Sequence, residues 1–115
     1  MDSRHQKRSE LLQKLFVLGF ESTHVDPDVK DIQDNLQALD AEIKKNATRY
    51  PLDKLAKVDL AVLRLAIYEL LIEKKNPPKV IIDEAVTLAR EFGNEKSYSF
   101  VNGVLGSVLK NIHHS

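Results

Sequence analysis

Apolar residues recur along this chain at spacings of three and four, the period of one face of an α-helix, and this pattern predicts helices from end to end. Over residues 3–19, Leu11, Leu12, Leu15 and Leu18 form one stripe, with Gly19 as the stop. A polar turn at residues 21–25 leads to Asp26, which is suited to cap a helix that carries Pro27 in its first turn. Val29, Ile32, Leu36, Leu39 and Ile43 then make a seam as narrow as that of a coiled coil, and residues 27–47 read as one helix. Pro51 breaks the pattern, and a short helical turn leads into residues 58–72. There Val58, Leu60, Val62, Leu63, Leu65, Ile67 and Leu70 surround the axis, as expected of a central helix covered by neighbours on all sides. Pro77 and Pro78 open the next helix, whose Ile81, Ala85, Leu88, Ala89 and Phe92 run to a stop at Gly93. The last helix starts near Ser97 and places Tyr98, Val101, Leu105, Val108 and Ile112 on one stripe.

Composition agrees with an all-α fold. At 115 residues the chain makes one domain, 1–115, with an N-terminal helical half at 1–50 and a C-terminal bundle at 51–115. The chain is 43% hydrophobic and 30% charged, and its four glycines and four prolines are too few for a many-turned β protein. The absence of cysteine excludes a disulfide framework and thiolate chemistry, and suits a reducing cytoplasm. The first ten residues are polar, unlike a signal peptide, and no apolar run approaches the ~18 residues that span a bilayer, so a cytoplasmic protein without a membrane partner is expected.

Net charge is zero, so any affinity for nucleic acid must come from local patches. One such patch opens the chain, where Arg4, Lys7, Arg8 and Lys14 outweigh Asp2 and Glu10, whereas residues 21–46 are acidic. Cations at a helix N-terminus oppose its dipole and forfeit about 0.3–1 kcal/mol each, so stability did not select them. Arg4 and Arg8 continue the leucine stripe outward, with His5 and Phe16 along one edge and Lys7 along the other. Two readings stand: Arg8 pairs with a carboxylate at the edge of the core while the rest are solvated, or the group meets phosphates. On the last helix Ser99, Gly103, Gly106 and Ser107 gather away from the apolar stripe, with Phe100 at their margin. A mid-helix glycine costs about 1 kcal/mol relative to alanine, which points to a close approach. Either another helix packs there, or a ligand does, its phosphate near Lys96 and its base stacked on Phe100.

Catalytic signals are missing from the sequence. None of the four histidines pairs with a carboxylate at metal-ligand spacing, and His113 and His114 read as a ragged end. No glycine-rich phosphate loop follows a strand, and no serine stands in a nucleophile turn. A protein that is not an enzyme, with no metal and no cofactor, is expected.

The segments "KVDLAVLRLAIYELL" and "NPPKVIIDEAVTLAREFGNEKSYSFVNGVL" resemble the NusB family of bacterial transcription antitermination factors, in order and spacing from Val58 to Leu105. "RHQKRSELLQKLF" is similar to the family's Arg-rich first helix, and "LQALDAEIKKNATRYPLDKL" to the helix and connector before its core helix. The resemblance implies an all-α, NusB-like bundle of about five to six helices and a non-enzymatic role. That role is binding of boxA-like single-stranded RNA, jointly with the small-subunit ribosomal protein NusE, within a transcription elongation complex. By this resemblance Arg4, His5, Lys7, Arg8, Phe16, Lys96 and Phe100 are RNA-binding positions, and Asp59 and Arg64 belong to the surface shared with the protein partner.

Departures from the family pattern accompany the match. The usual double arginine is Arg4-His5, a tyrosine is replaced by Phe16, a lysine by Ser99, and an acid by Lys96. The family places two helices before the connector where residues 27–47 read as one, so one helix of the N-terminal bundle is expected to be missing. The seam from Val29 to Ile43 would then leave an apolar groove, which a homodimer through this half would bury. The alternatives are a helical interaction or self-association module that has lost RNA binding, and a detached RNA-binding domain of an rRNA cytosine methyltransferase.

Overall fold

The computed structural model describes residues 3–18 and 26–113. The expected stop at Gly19, the turn at residues 21–25 with His24, and the chain end at His114 lie outside them. Among the described residues six α-helices follow in order: α1 (Ser3–Leu18), α2 (Lys30–Asp34), α3 (Leu36–Asn46), α4 (Lys57–Tyr68), α5 (Pro78–Phe92) and α6 (Ser97–His113). No strand occurs among the described residues.

The segment expected as one helix at 27–47 is two. Asp26 accepts a hydrogen bond from the Asp28 amide at 2.9 Å and starts a 3-10 turn at Pro27–Val29, which passes into α2. At Asn35 the helix breaks: its side-chain Nδ2 donates to the Asp31 carbonyl at 2.7 Å and its amide turns back to Ile32. Asparagine competes in this way with the backbone ladder. The Asn35 carbonyl then accepts from the Leu39 amide and α3 begins. The packing corrects the expectation of an open groove. Val29, Ile32, Leu39 and Ile43 are all buried, with α2 and α3 packed against α4 and α3 also against α6. The seam therefore supplies no reason for a homodimer.

α4 is the hub. It packs against every other helix, and its Val62, Leu63 and Ile67 are almost wholly removed from water. It ends in a π turn at Glu69–Glu73, closed by the Lys74 amide on the Glu69 carbonyl at 2.9 Å, with Lys74 in the left-handed region at φ 55°. That turn swings the chain into α5, which lies along α6 in the most extensive helix pairing of the fold. On α6 the buried stripe is Val101, Val104, Leu105 and Val108. Tyr98 and Ile112, expected within it, are 40% and 37% exposed, because the stripe turns through Val104. No helix among the described residues is long and apolar enough to cross a membrane.

Candidate nucleic-acid interface

The cationic start of α1 lies on α5 and on the end of α4. Arg8 is buried, its guanidinium gripping Glu69 through Nε at 2.9 Å and Nη2 at 2.8 Å, while Nη1 donates to Glu84 at 3.1 Å. Two carboxylates occupy the planar fork, so Arg8 is a structural cation tying three helical segments together and not a phosphate ligand. This corrects its assignment to RNA and bears out the core-edge pairing.

His5 is also held. Its Nδ1 lies 3.2 Å from Glu84 and its Nε2 2.6 Å from Glu91. A neutral imidazole donates from one nitrogen only, so contact with two carboxylates requires the imidazolium. Burial by itself would lower the His5 pKa, but the hydrogen bond and charge of Glu91, then those of Glu84, outweigh it and raise the pKa above the ordinary 6.5. His5 thus cancels the acidic surface of α5. Because the folded value lies above the unfolded one, this stabilisation is complete below pH 6.5 and fades as pH rises through the folded value. The gap in melting temperature between the native chain and His5→Gln should accordingly be widest just below pH 6.5 and narrow as pH rises through the alkaline range. A gap that is the same across this range would show that His5 does not act through its charge.

Arg4 and Lys7 are exposed, and both also border a groove between α1 and Asp28 and Asp31 near α2. Arg4 borders a groove of about 350 Å³ that runs up to Val80 and Thr87 of α5. Thr87 also lines the neighbouring groove between α5 and α6, with Arg90, Tyr98 and Ser99, where the Arg90 guanidinium lies 4.6 Å above the Tyr98 ring. Ser99 in turn lines a third and larger groove, of about 620 Å³, with Phe100, Lys96 and Gly103 on one side and Arg49 and Tyr50 of the α3–α4 connector on the other. Shared residues make these three grooves one continuous face from Arg4 to Phe100. Phe16 lies three turns along α1 from Arg4, and none of the three grooves includes it. Asp59 is buried in the first turn of α4, and Arg64 is spent on Asp40 through two bonds of 2.9 Å that fasten α3 to α4. Asp59 is thus turned inward, whereas Arg64 still borders an open groove with Lys44, Asp53 and Lys57.

The glycine on α6 can now be explained. A Cβ built on Gly103 meets nothing within 4 Å, so no second helix packs on it, and its cost of about 1 kcal/mol has no return inside the protein. Phe100 is half-buried, with its edge against the core and its ring 6.4 Å from Tyr50 at 73°. Tyr50 and Arg49 are the residues that sequence reasoning missed. They sit on a connector where helical periodicity says nothing, and the only signal was a large aromatic next to Pro51 in a polar stretch.

Comparison with known proteins bears on this arrangement. The profile of the NusB family matches residues 6–110. The transcription antitermination protein NusB of Treponema denticola is 44% identical over 107 residues, which is 93% of this chain and 70% of that protein. That of Clostridium botulinum is 43% identical over 81 residues, covering 70% of this chain and 57% of its own length, so this chain spans under two thirds of that relative. The solved structure of T. maritima NusB superposes with a TM-score of 0.81 at 33% identity, covering 95% of this chain and 92% of that one. An all-helical fold, the Arg-rich first helix and the Phe-Val-Asn-Gly segment of α6 thus coincide with matches across almost the whole length, and the chain belongs to the NusB family.

Proposed function

We propose that this chain, acting as a single unit over 1–115, is a cytoplasmic transcription antitermination factor that binds boxA-like single-stranded RNA. It would act together with the small-subunit ribosomal protein NusE in the transcription elongation complex. A family of antitermination proteins works by binding and not by catalysis. The observation that carries the reading is the half-exposed Phe100 ring beside Lys96 in an open groove, continuous along α5 with the exposed Arg4, one turn of α1 from the exposed Lys7. Cations at one end hold the phosphate backbone and an aromatic ring at the other holds a base, the two components of single-strand binding. His5 and Arg8 serve indirectly, by neutralising Glu69, Glu84 and Glu91 beneath the path of the anion.

A titration of labelled boxA-like RNA at several salt concentrations tests this. Each lost phosphate contact lowers the slope of log affinity against log salt by roughly 0.7 for a single strand, so Arg4→Ala with Lys7→Ala should weaken binding and flatten that slope by about 1.4. Phe100→Ala should cost about 1–3 kcal/mol of binding without altering the slope. Binding unchanged in both variants would exclude this face. The second reading, an interaction module without RNA affinity, draws on the capture of His5 by Glu84 and Glu91 and on Ser99 in place of a lysine. Association with NusE in the absence of any salt-dependent RNA binding would favour it.

A further inference from the structure

Resting on that RNA-binding reading, the geometry points to a second base-binding position, built by Tyr50 of the α3–α4 connector over the bare backbone at Gly103. Tyr50 is 55% exposed, the most open aromatic ring among the described residues, on a chain that buries or half-buries most of its apolar side chains. It stands edge-to-face with Phe100, so the two rings form the corner of a groove of about 620 Å³. The floor of that groove is α6, where Ser99 and Gly103 leave the helix backbone low, and a side chain at Gly103 would project into open space. Filling the position would cost nothing in packing, and leaving it empty is what keeps the groove deep enough for a planar group.

The occupant that fits is an unpaired nucleobase. A π face offered to solvent beside a second ring stacks on any base, and Arg49 and Lys96 flank the groove with positive charge for the neighbouring phosphates. Glu95, which also lines it, is the opposing charge and sits next to Lys96. Continuity supports the same occupant, since Ser99 joins this groove to the path that leads across α5 to Arg4. Tyr50 thereby extends the RNA face from α6 onto the connector.

Fluorescence anisotropy with a labelled boxA-like RNA, and with a series in which one base at a time is removed to leave an abasic sugar, tests the assignment. Tyr50→Ala should lose about tenfold or more in affinity with an unchanged salt slope, and Tyr50→Phe should bind as the native chain does. At one position the abasic RNA should lose about tenfold against the native chain and nothing further against Tyr50→Ala. Gly103→Leu should fold with an equal or higher melting temperature and yet bind RNA about tenfold or more weakly, because the added side chain occupies the groove. RNA affinity intact in both Tyr50→Ala and Gly103→Leu, with the native salt slope present, would overturn this position alone and leave the groove to a protein segment. No salt-dependent binding by the native chain would overturn the RNA reading and this position together.

Discussion

Arg8→Ala should unfold about 10–20 °C below the native chain, a loss of about 3–5 kcal/mol, and should do so without flattening the salt slope of RNA binding measured well below its melting temperature. The magnitude comes from what is left behind. Glu69 is buried, and Arg8 supplies its charge partner through three contacts between 2.8 and 3.2 Å. Removing the guanidinium strands that carboxylate in a region of low dielectric, and Glu84 loses its 3.1 Å contact as well. Replacing both members by apolar residues removes the stranded charge. The double variant Arg8→Met, Glu69→Leu should therefore recover most of the stability lost by Arg8→Ala. Thermal melts of both variants, paired with the salt titration, decide the matter. An unshifted melting temperature with a slope reduced by about 0.7 would return Arg8 to the RNA face.

The second large effect is expected at Gly93, where alanine should cost about 1–3 kcal/mol and loosen the α5–α6 corner. A Cβ there would collide with Ser97 Oγ and would lie 2.6 Å from Ser97 Cβ and 2.7 Å from the Ala89 carbonyl oxygen. Ser97 cannot turn aside without loss, because it is 1% exposed and its hydroxyl accepts the Asn94 amide at 3.0 Å, closing the turn that starts α6. Trimming it in Gly93→Ala, Ser97→Gly should relieve only part of the loss, since the carbonyl at 2.7 Å remains in place. Full recovery in that double variant would show that the backbone contact is harmless. The contrast with Gly103, where the same added atom meets nothing within 4 Å, separates a glycine required by folding from one that folding does not require.

Much of the fold could be read from periodicity, because α1, α4, α5 and α6 each carry an apolar stripe that a nearby partner covers. What escaped was decided by single polar atoms or by distant pairings. The break at Asn35 rests on one side-chain amide reaching back four residues, and the hydrophobic seam runs through it without interruption. Arg8 and Arg4 look alike in sequence, both on the polar end of α1. Only the return of Glu69 and Glu84, from positions 61 and 76 residues away, buries one and leaves the other at the surface. Tyr98 and Val104 flank Val101 on either edge of the α6 stripe, and the fold buries the valine while the tyrosine stays 40% exposed with Arg90 of α5 over its ring. Phe100 was recognisable from the resemblance, but its companion Tyr50 lies on an irregular connector, where no spacing rule applies.

The ion pairs at the start of α1 also set an order of events during synthesis. His5 leaves the ribosome 79 residues before Glu84 and 86 residues before Glu91, the two acids that hold its ring. At about 5–20 residues per second, roughly 4–17 s pass between the first member of that contact and the last. Throughout that interval His5 has neither of its acids to settle against, although Arg8 of the same helix meets Glu69 sooner, so the first turn of the amino-terminal helix is pinned only after the rest of that helix can dock on α4.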